Sequence, residues 1–131
     1  MNPFQDILDR QREFFLGDAT KPASWRLDQL DRMERMLREN QGAFCAALHA
    51  DFHKPPFEQL FEITVPLGVI AYYREHLAEL MRPQQVPIPK GLEEGGNRGV
   101  IHKEPYGATL VIGPFNAPIL LLLDQIGRAH V

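Results

Sequence analysis

Proline and glycine crowd into residues 82–97, and this stretch divides the chain into two parts with different sequence periods. Proline removes a backbone donor and fixes the backbone, so such a cluster is typical of a loop. Before it, apolar residues recur at helical spacing; after it come short, partly β-branched apolar runs. We therefore predict a helical segment over residues 1–82, a loop over 83–97, and strands with a motif loop over 98–118.

Local signals predict where the first helices begin and end. Asn2 can cap a first helix that has Pro3 at its first position, and Gly17 should end it. Ser24 can cap a second helix, and a third helix should follow Asn40.

The second and third helices are predicted to bury one face each. The apolar face of the second helix consists of Leu27, Leu30, Met33 and Leu37. Its opposite, charged face carries Arg26, Asp28, Asp31, Arg32 and Arg35. The third helix should bury Phe44, Ala47, Leu48 and Cys45.

A fourth helix is predicted over residues 57–81, after the breaker formed by residues 53–56, where two prolines bar continuation of the third helix. Pro66 falls inside this fourth helix. An interior proline costs around 3 kcal/mol, so we expect either a kink at that position or a fresh helix start capped by Thr64.

The second part of the chain has the pattern of an α/β sheet. Residues 98–104 read as a short strand, and residues 108–112 are a nearly all-apolar run that resembles a buried strand of a parallel sheet. Residues 113–118 break that run, and another apolar stretch follows. In α/β sheets, ligands bind at the carboxyl end of a strand, where a loop leads into the next helix.

Composition excludes several classes of protein. With 131 residues, 44% hydrophobic and 24% charged, the chain has the balance of one soluble globular domain. The formal net charge is −3 and the basic residues are scattered, so no nucleic-acid partner is predicted. Cys45 is the single cysteine, no apolar run is long enough to span a bilayer and no secretory signal is visible, so we predict a cytoplasmic protein. His49 and His53 lack further ligands nearby, and no metal site is predicted.

Asn116 is the side chain that most clearly carries chemistry. It stands in the loop after the predicted strand, between Pro114 and Pro118, which restrict the backbone on either side. Its carboxamide could cap the next helix, since asparagine is a favoured cap. It could instead donate an N–H to a developing oxyanion, because a rigidly held amide suits that task. The spacing leaves both readings open.

Residues 104–118 resemble the aldehyde dehydrogenase superfamily pattern of Glu-Pro-x-Gly, an apolar strand, and Pro-Trp-Asn-aromatic-Pro. Here the last part stands as Pro114-Phe115-Asn116-Ala117-Pro118. The upstream helices are similar in order and spacing to the branch that lacks a long N-terminal extension. The resemblance covers residues 1 to about 125. It implies a truncated α/β fold with N-terminal helices, a short strand pair and the first strand of a Rossmann-like cofactor domain.

The resemblance also implies an activity. The enzyme would oxidise an aldehyde to a carboxylic acid through a cysteine thiohemiacetal and a thioester, with NAD or NADP as cofactor, and would be a homodimer. Asn116 would donate to the thiohemiacetal oxygen. Four residues would lie along the nicotinamide side of the cofactor, namely Ile112, Gly113, Pro114 and Phe115. Phe115 replaces the usual tryptophan and loses an N–H donor, and Ala117 replaces a common aromatic residue.

The nucleophilic cysteine, the general-base glutamate and the cofactor-phosphate residues lie further along in that family, so this chain alone is expected to be inactive. Cys45 precedes the motif and is better explained as a small buried hydrophobe. Residues 126–131 match the translation of a common sequencing adapter, so we expect a non-native tail. The alternatives are a non-catalytic helical interaction module, or a superfamily relative that acts on acyl-CoA or acyl phosphate.

Overall fold

The computed structural model describes residues 2–129, and the side chains of residues 2–125. It is mostly helical with one small antiparallel sheet, which confirms the predicted α/β class. The elements are α1 (Gln5–Leu16), α2 (Ala23–Glu39), α3 (Gln41–Phe52), α4 (Pro56–Leu80), β1 (Gln84–Val86), α5 (Lys90–Glu93), β2 (Gly99–Ile101) and α6 (Pro118–Ala129). The predicted non-native tail lies beyond the described side chains and stays a prediction.

Helix α4 is the centre of the fold, because it packs against α2, α3 and α6. The predicted apolar face of α2 supplies Leu30, Met33 and Leu37 to the core, while Leu27 is half-buried. The main contributions of α4 to the same cluster are Ile63 and Ile70. The spacing of these residues keeps them on one side of each helix, so the two apolar stripes face each other.

Two predictions about helix faces are wrong. Arg26 is buried rather than solvated, because it precedes Leu30 by one helical turn and therefore lies on the apolar stripe. Its Nε donates to the carbonyl of Thr20 at 3.1 Å, and burial lowers the pKa of its guanidinium. On α3, Leu48 is buried and Phe44 packs against the core as predicted, but Ala47 is exposed.

The helix ends predicted from glycine and proline are confirmed, whereas the caps predicted at Asn2 and Ser24 are wrong. Gly17 ends α1, and His53 ends α3 in the left-handed conformation just before the two prolines. However, α1 begins at Gln5, and Asn2 forms a turn ahead of it by accepting from the Phe4 amide at 3.0 Å. Ser24 is not a cap, since α2 begins one residue earlier, directly after the extended Pro22.

Pro66 lies inside a helix that continues through it. The fresh start at Thr64 is therefore wrong, because α4 runs unbroken from Pro56 to Leu80. Pro66 cannot donate to the carbonyl of Glu62, one turn earlier, so that backbone bond is lost. Pro66 is fully buried, and its apolar contacts offset part of the cost.

The small sheet pairs β1 with β2, with Gln85 opposite Val100. The predicted strand over residues 98–104 thus forms only in its first half, and the predicted loop over 83–97 contains β1 and the short helix α5. A loop prediction based on proline and glycine misses β1 because two-stranded pairing depends on a partner segment further along the chain.

The predicted buried strand over residues 108–112 is not formed. Leu110 is 85% exposed and Ile112 is 84% exposed. A strand of a parallel sheet needs neighbouring strands for its backbone hydrogen bonds and covering helices for its side chains. Within the described residues, both strands of the sheet are already paired with each other and neither pairs with this segment.

None of the helices in the described part of the chain is both long enough and apolar enough to cross a bilayer. Nor does this part of the chain contain a group of three or more His, Cys, Asp or Glu residues arranged to hold a metal ion.

Candidate active site

The candidate site is the turn at the end of the motif segment, which we define as residues 102–117, directly before α6. Gly113 approaches α6 so closely that a Cβ there would lie 2.7 Å from the Cγ of Leu122, so a larger residue could not fit without a shift. Phe115 and Asn116 form the turn, and Pro118 is the first residue of α6. Its missing N–H costs nothing at that position. The turn is therefore fixed on the α6 side by close packing and on both sides by proline.

Asn116 is exposed in this turn, and the structure identifies a different side chain as the cap of α6. The carboxylate Oε2 of Glu62 accepts from the amide of Ile119 at 2.9 Å and from the amide of Leu120 at 3.3 Å. These are amides of the first turn, which have no partner within the helix. Because Glu62 accepts these two bonds, the capping role considered for Asn116 is filled from α4.

Glu62 is 1% exposed, and its other oxygen forms an ion pair with Lys54. Lys54 lies in the turn between α3 and α4 and is itself mostly buried. Its carbonyl accepts from Nε2 of Gln59 at 2.5 Å. Hydrogen bonds and ion pairs that involve a charged partner are shorter and stronger than neutral ones. The start of α6 is therefore tied to α4 and to the turn that precedes α4 by one buried charged network.

Sequence reasoning did not find this network, although part of its signal is present. Glu62 lies next to Ile63 and one turn before Pro66, on the buried side of α4. A carboxylate on an otherwise apolar helix face requires a partner, since an isolated buried charge is very costly. The position of the partner amides, 57 residues away at Ile119, could not be read from local spacing.

The four predicted cofactor residues form one mostly exposed, uncharged stretch next to Asn116. Ile112 and Phe115 are each 84% exposed, Pro114 is exposed, and Gly113 is half-buried against α6. Such a surface can lie against the face of a flat ring. It does not suit the cofactor phosphates, because the amides at the α6 N-terminus, which could otherwise bind an anion, already hold the Glu62 carboxylate.

Two cavities lie near the motif, and Asn116 lines neither. The larger, of about 600 Å³, lies between α1, the start of α2, the motif segment and α6, and aromatic residues such as Phe15 and Trp25 line it. The smaller, of about 370 Å³, lies between α4 and α6 and is lined by Tyr72, Tyr73 and Asp124 among others. Asn116 directly follows residues 112–115 in the chain, is exposed, and belongs to neither of these two cavities.

Comparison with known proteins identifies the class. The sequence model of the Aldehyde dehydrogenase family matches residues 5–131, and the chain therefore belongs to this family. It is 37% identical to aldehyde dehydrogenase family 3 member B1 of Bos taurus over 127 residues, which are 96% of this chain and 27% of the relative.

Two other relatives show the range of names within the family. The dimeric NADP-preferring aldehyde dehydrogenase of Canis lupus familiaris is 29% identical over 127 residues, covering 96% of this chain and 28% of the relative. The 4,4'-diapolycopene-4,4'-dial dehydrogenase of Cytobacillus firmus is 36% identical over 126 residues, covering 94% of this chain and 27% of the relative. The chain spans about a quarter of the length of these relatives.

Proposed function

We propose that the full-length protein carrying this segment oxidises an aldehyde to a carboxylic acid with NAD or NADP. The observation that carries the proposal is the exposed Asn116, in a turn restrained by Pro114 and Pro118, in a chain that belongs to the aldehyde dehydrogenase family. Family membership favours this function over a helical interaction module. A relative that acts on acyl-CoA or acyl phosphate would differ by lacking a general-base glutamate in the rest of its sequence.

Asn116 is the proposed oxyanion donor. Its carboxamide N–H would donate to the aldehyde oxygen as that atom gains negative charge, and an amide does so without a charge of its own. Capping of α6 by Glu62 supports this role, since it leaves the carboxamide without that competing task. The nucleophile is assigned to sequence outside these residues, because Cys45 is half-buried on α3 and packs against the core.

Ile112, Gly113, Pro114 and Phe115 are proposed to flank the nicotinamide ring. When bound, the cofactor accepts the hydride that leaves the substrate carbon. The apolar stretch would hold the flat ring and help to exclude water, while its phosphates would have to be bound elsewhere. The canine relative is named NADP-preferring, so either cofactor is included in the proposal.

Two further proposals concern the assembly and the location of the full-length protein. The name of the canine relative includes the word dimeric, and we propose a homodimer for the full-length protein. A single cysteine in this chain is typical of a reducing compartment, and we propose a cytoplasmic location.

The proposal is tested by the substitution Asn116→Ala in the full-length protein. Loss of one oxyanion donor should lower kcat by roughly 10²–10³-fold, with little change in thermal stability because Asn116 is exposed. Aldehyde-dependent reduction of NAD and of NADP is followed by absorbance. Asn97→Ala is the matched control, since Asn97 is another exposed loop asparagine and its side chain donates to the carbonyl of Leu92, away from the motif. Normal turnover of the Asn116 variant would show that the assigned role is wrong.

A further inference from the structure

We infer that Lys54 and Glu62 form a positioning pair for the reaction. This pair fixes the first turn of α6 and, through that turn, the location of the Asn116 carboxamide. The inference rests on the proposed function, because it gives Asn116 the catalytic role and Glu62 a role that acts through it. Neither residue of the pair is proposed to touch substrate or cofactor.

Each oxygen of the Glu62 carboxylate has a separate task. Oε1 is paired with the Lys54 ammonium, and Oε2 accepts from the amides of Ile119 and Leu120. The two tasks support each other. The lysine and the partial positive charge of the helix N-terminus together compensate a carboxylate that is removed from water.

Lys54 is held in place by contacts that do not involve α6. It follows His53, which has a φ of 52° and a ψ of 32°, and it precedes Pro55, whose φ is −66°. The Lys54 carbonyl accepts from Gln59, which is buried on α4. The ammonium is thus presented from a turn whose backbone is restricted on both sides, so Glu62 has little freedom to move away from α6.

The first turn of α6 connects the pair to Asn116. Asn116 stands three residues before Ile119, and Pro118 lies between them as the first residue of α6. The amide of Leu121 donates to the carbonyl of Ala117 at 3.1 Å, which closes the first helical turn on the residue next to Asn116. A shift of this turn therefore carries Asn116 with it. Because catalysis depends on the position of the reacting groups to within about 1 Å, such a shift should slow turnover.

The test uses the full-length enzyme and a set of single and double variants. Glu62→Gln removes the charge with little change in shape, and it should lower kcat roughly 10- to 100-fold while KM stays within a factor of about two. Lys54→Met should have a similar effect, and Lys54→Arg, which keeps the positive charge, should restore most of the turnover. Glu58→Gln is the matched control, since Glu58 is exposed one turn earlier on the same helix.

The decisive comparison is between Asn116→Ala and the double variant Asn116→Ala/Glu62→Gln. If Glu62 acts through Asn116, removal of Glu62 should cost little more once the carboxamide is gone, so both should have nearly the same kcat. If the fold-decrease in kcat of the double variant equals the product of the decreases in the two single variants, the inference is overturned. Unchanged turnover of Glu62→Gln would overturn it as well. Normal turnover of Asn116→Ala would instead overturn the proposed function, so the two failures can be told apart.

Glu62→Gln leaves the lysine without its charged partner, and the variant could fail to fold. The charge-neutral double variant Lys54→Met/Glu62→Gln avoids that defect. It should keep a cooperative thermal transition and still lose turnover; unchanged turnover would contradict the inference. Hydrogen exchange gives a readout that does not depend on activity. The amides of Ile119 and Leu120 should exchange faster in this variant than in the parent, and equal exchange rates would also contradict it.

Discussion

The helices of residues 23–80 and the motif segment of residues 102–117 contain similar apolar side chains but bury them very differently. Leu30 and Ile63 are completely buried, whereas Leu110 and Ile112 remain exposed. A helix satisfies its own backbone hydrogen bonds and can then pack one face against a neighbour. A buried strand must first be paired along its edges. The apolar side chains of a segment thus indicate what it could bury, and the elements that pack beside it determine whether those side chains are buried.

The largest expected difference between the two regions is in the cost of truncating a side chain. Ile63→Ala should lower the free energy of unfolding of the chain by about 2–5 kcal/mol, because it leaves a cavity in the core. The matched change Ile112→Ala, at an exposed site, should stay within about 0.5 kcal/mol. Urea unfolding followed by circular dichroism measures both. Equal losses would show that the motif segment is packed in solution and that the contrast between the regions is wrong.

Alanine substitution of glycine should change stability in opposite directions in the two regions. At Gly113 a Cβ would press against Leu122 of α6, and Gly113→Ala should cost about 1–3 kcal/mol through overpacking. At Gly68, inside α4, a Cβ would meet nothing within 4 Å, and Gly68→Ala should stabilise the chain by roughly 0.8–1 kcal/mol. Thermal unfolding of the two variants checks the signs. A stabilising Gly113→Ala would mean that the motif segment does not approach α6 as closely as described.

The smallest effect concerns the surface of the helical region. Arg74 of α4 forms ion pairs with Asp31 and Glu34 of α2. Hydrogen bonds from Arg38 and Arg74 lower the pKa of Glu34 below its ordinary value of 4.5. A carboxyl group whose pKa is lower in the folded state contributes stability above its unfolded pKa. That contribution is lost as the pH falls from 4.5 through the lower folded value.

We therefore expect Arg74→Gln to reduce stability by about 0.2–1 kcal/mol at pH 7, as is usual for ion pairs that are partly exposed. The difference from the parent chain should shrink as the pH falls below 4.5, since protonated Glu34 has less to lose. The stability difference is measured from the urea midpoints of the variant and the parent chain at a series of pH values. Arg82→Gln, an exposed arginine just after α4, is the control. A constant difference at every pH would rule out the ion pairs as its source.

Much of the helical region could be predicted because its signals are local. Gly17 ends α1, the prolines after Lys54 separate α3 from α4, and the spacing of Leu30, Met33 and Leu37 defines a buried face. Each of these follows from backbone chemistry or from the helical period within a few residues. Arg26 is the exception, because its charge predicts a solvated face whereas its position, one helical turn before Leu30, lies on the apolar stripe.

The candidate site was less accessible to prediction. The motif around Asn116 could be recognised by resemblance, and the structure leaves its side chain exposed in the turn before α6. The cap on α6 could not be predicted, since local preference favours Asn116 whereas the structure uses Glu62. A contact over such a sequence separation depends on the packing of α4 against α6, which no window of neighbouring residues contains.

The position of Glu62 has a consequence for the order of folding. The first turn of α6 is completed by a side chain from α4, whose charge is in turn compensated from the turn that precedes α4. A contact between residues so far apart in the sequence has to order the intervening chain, which costs entropy that contacts within one helix do not cost. We therefore expect α2, α3 and α4 to assemble first, as a template, and the N-terminal end of α6 to dock onto it in a later step.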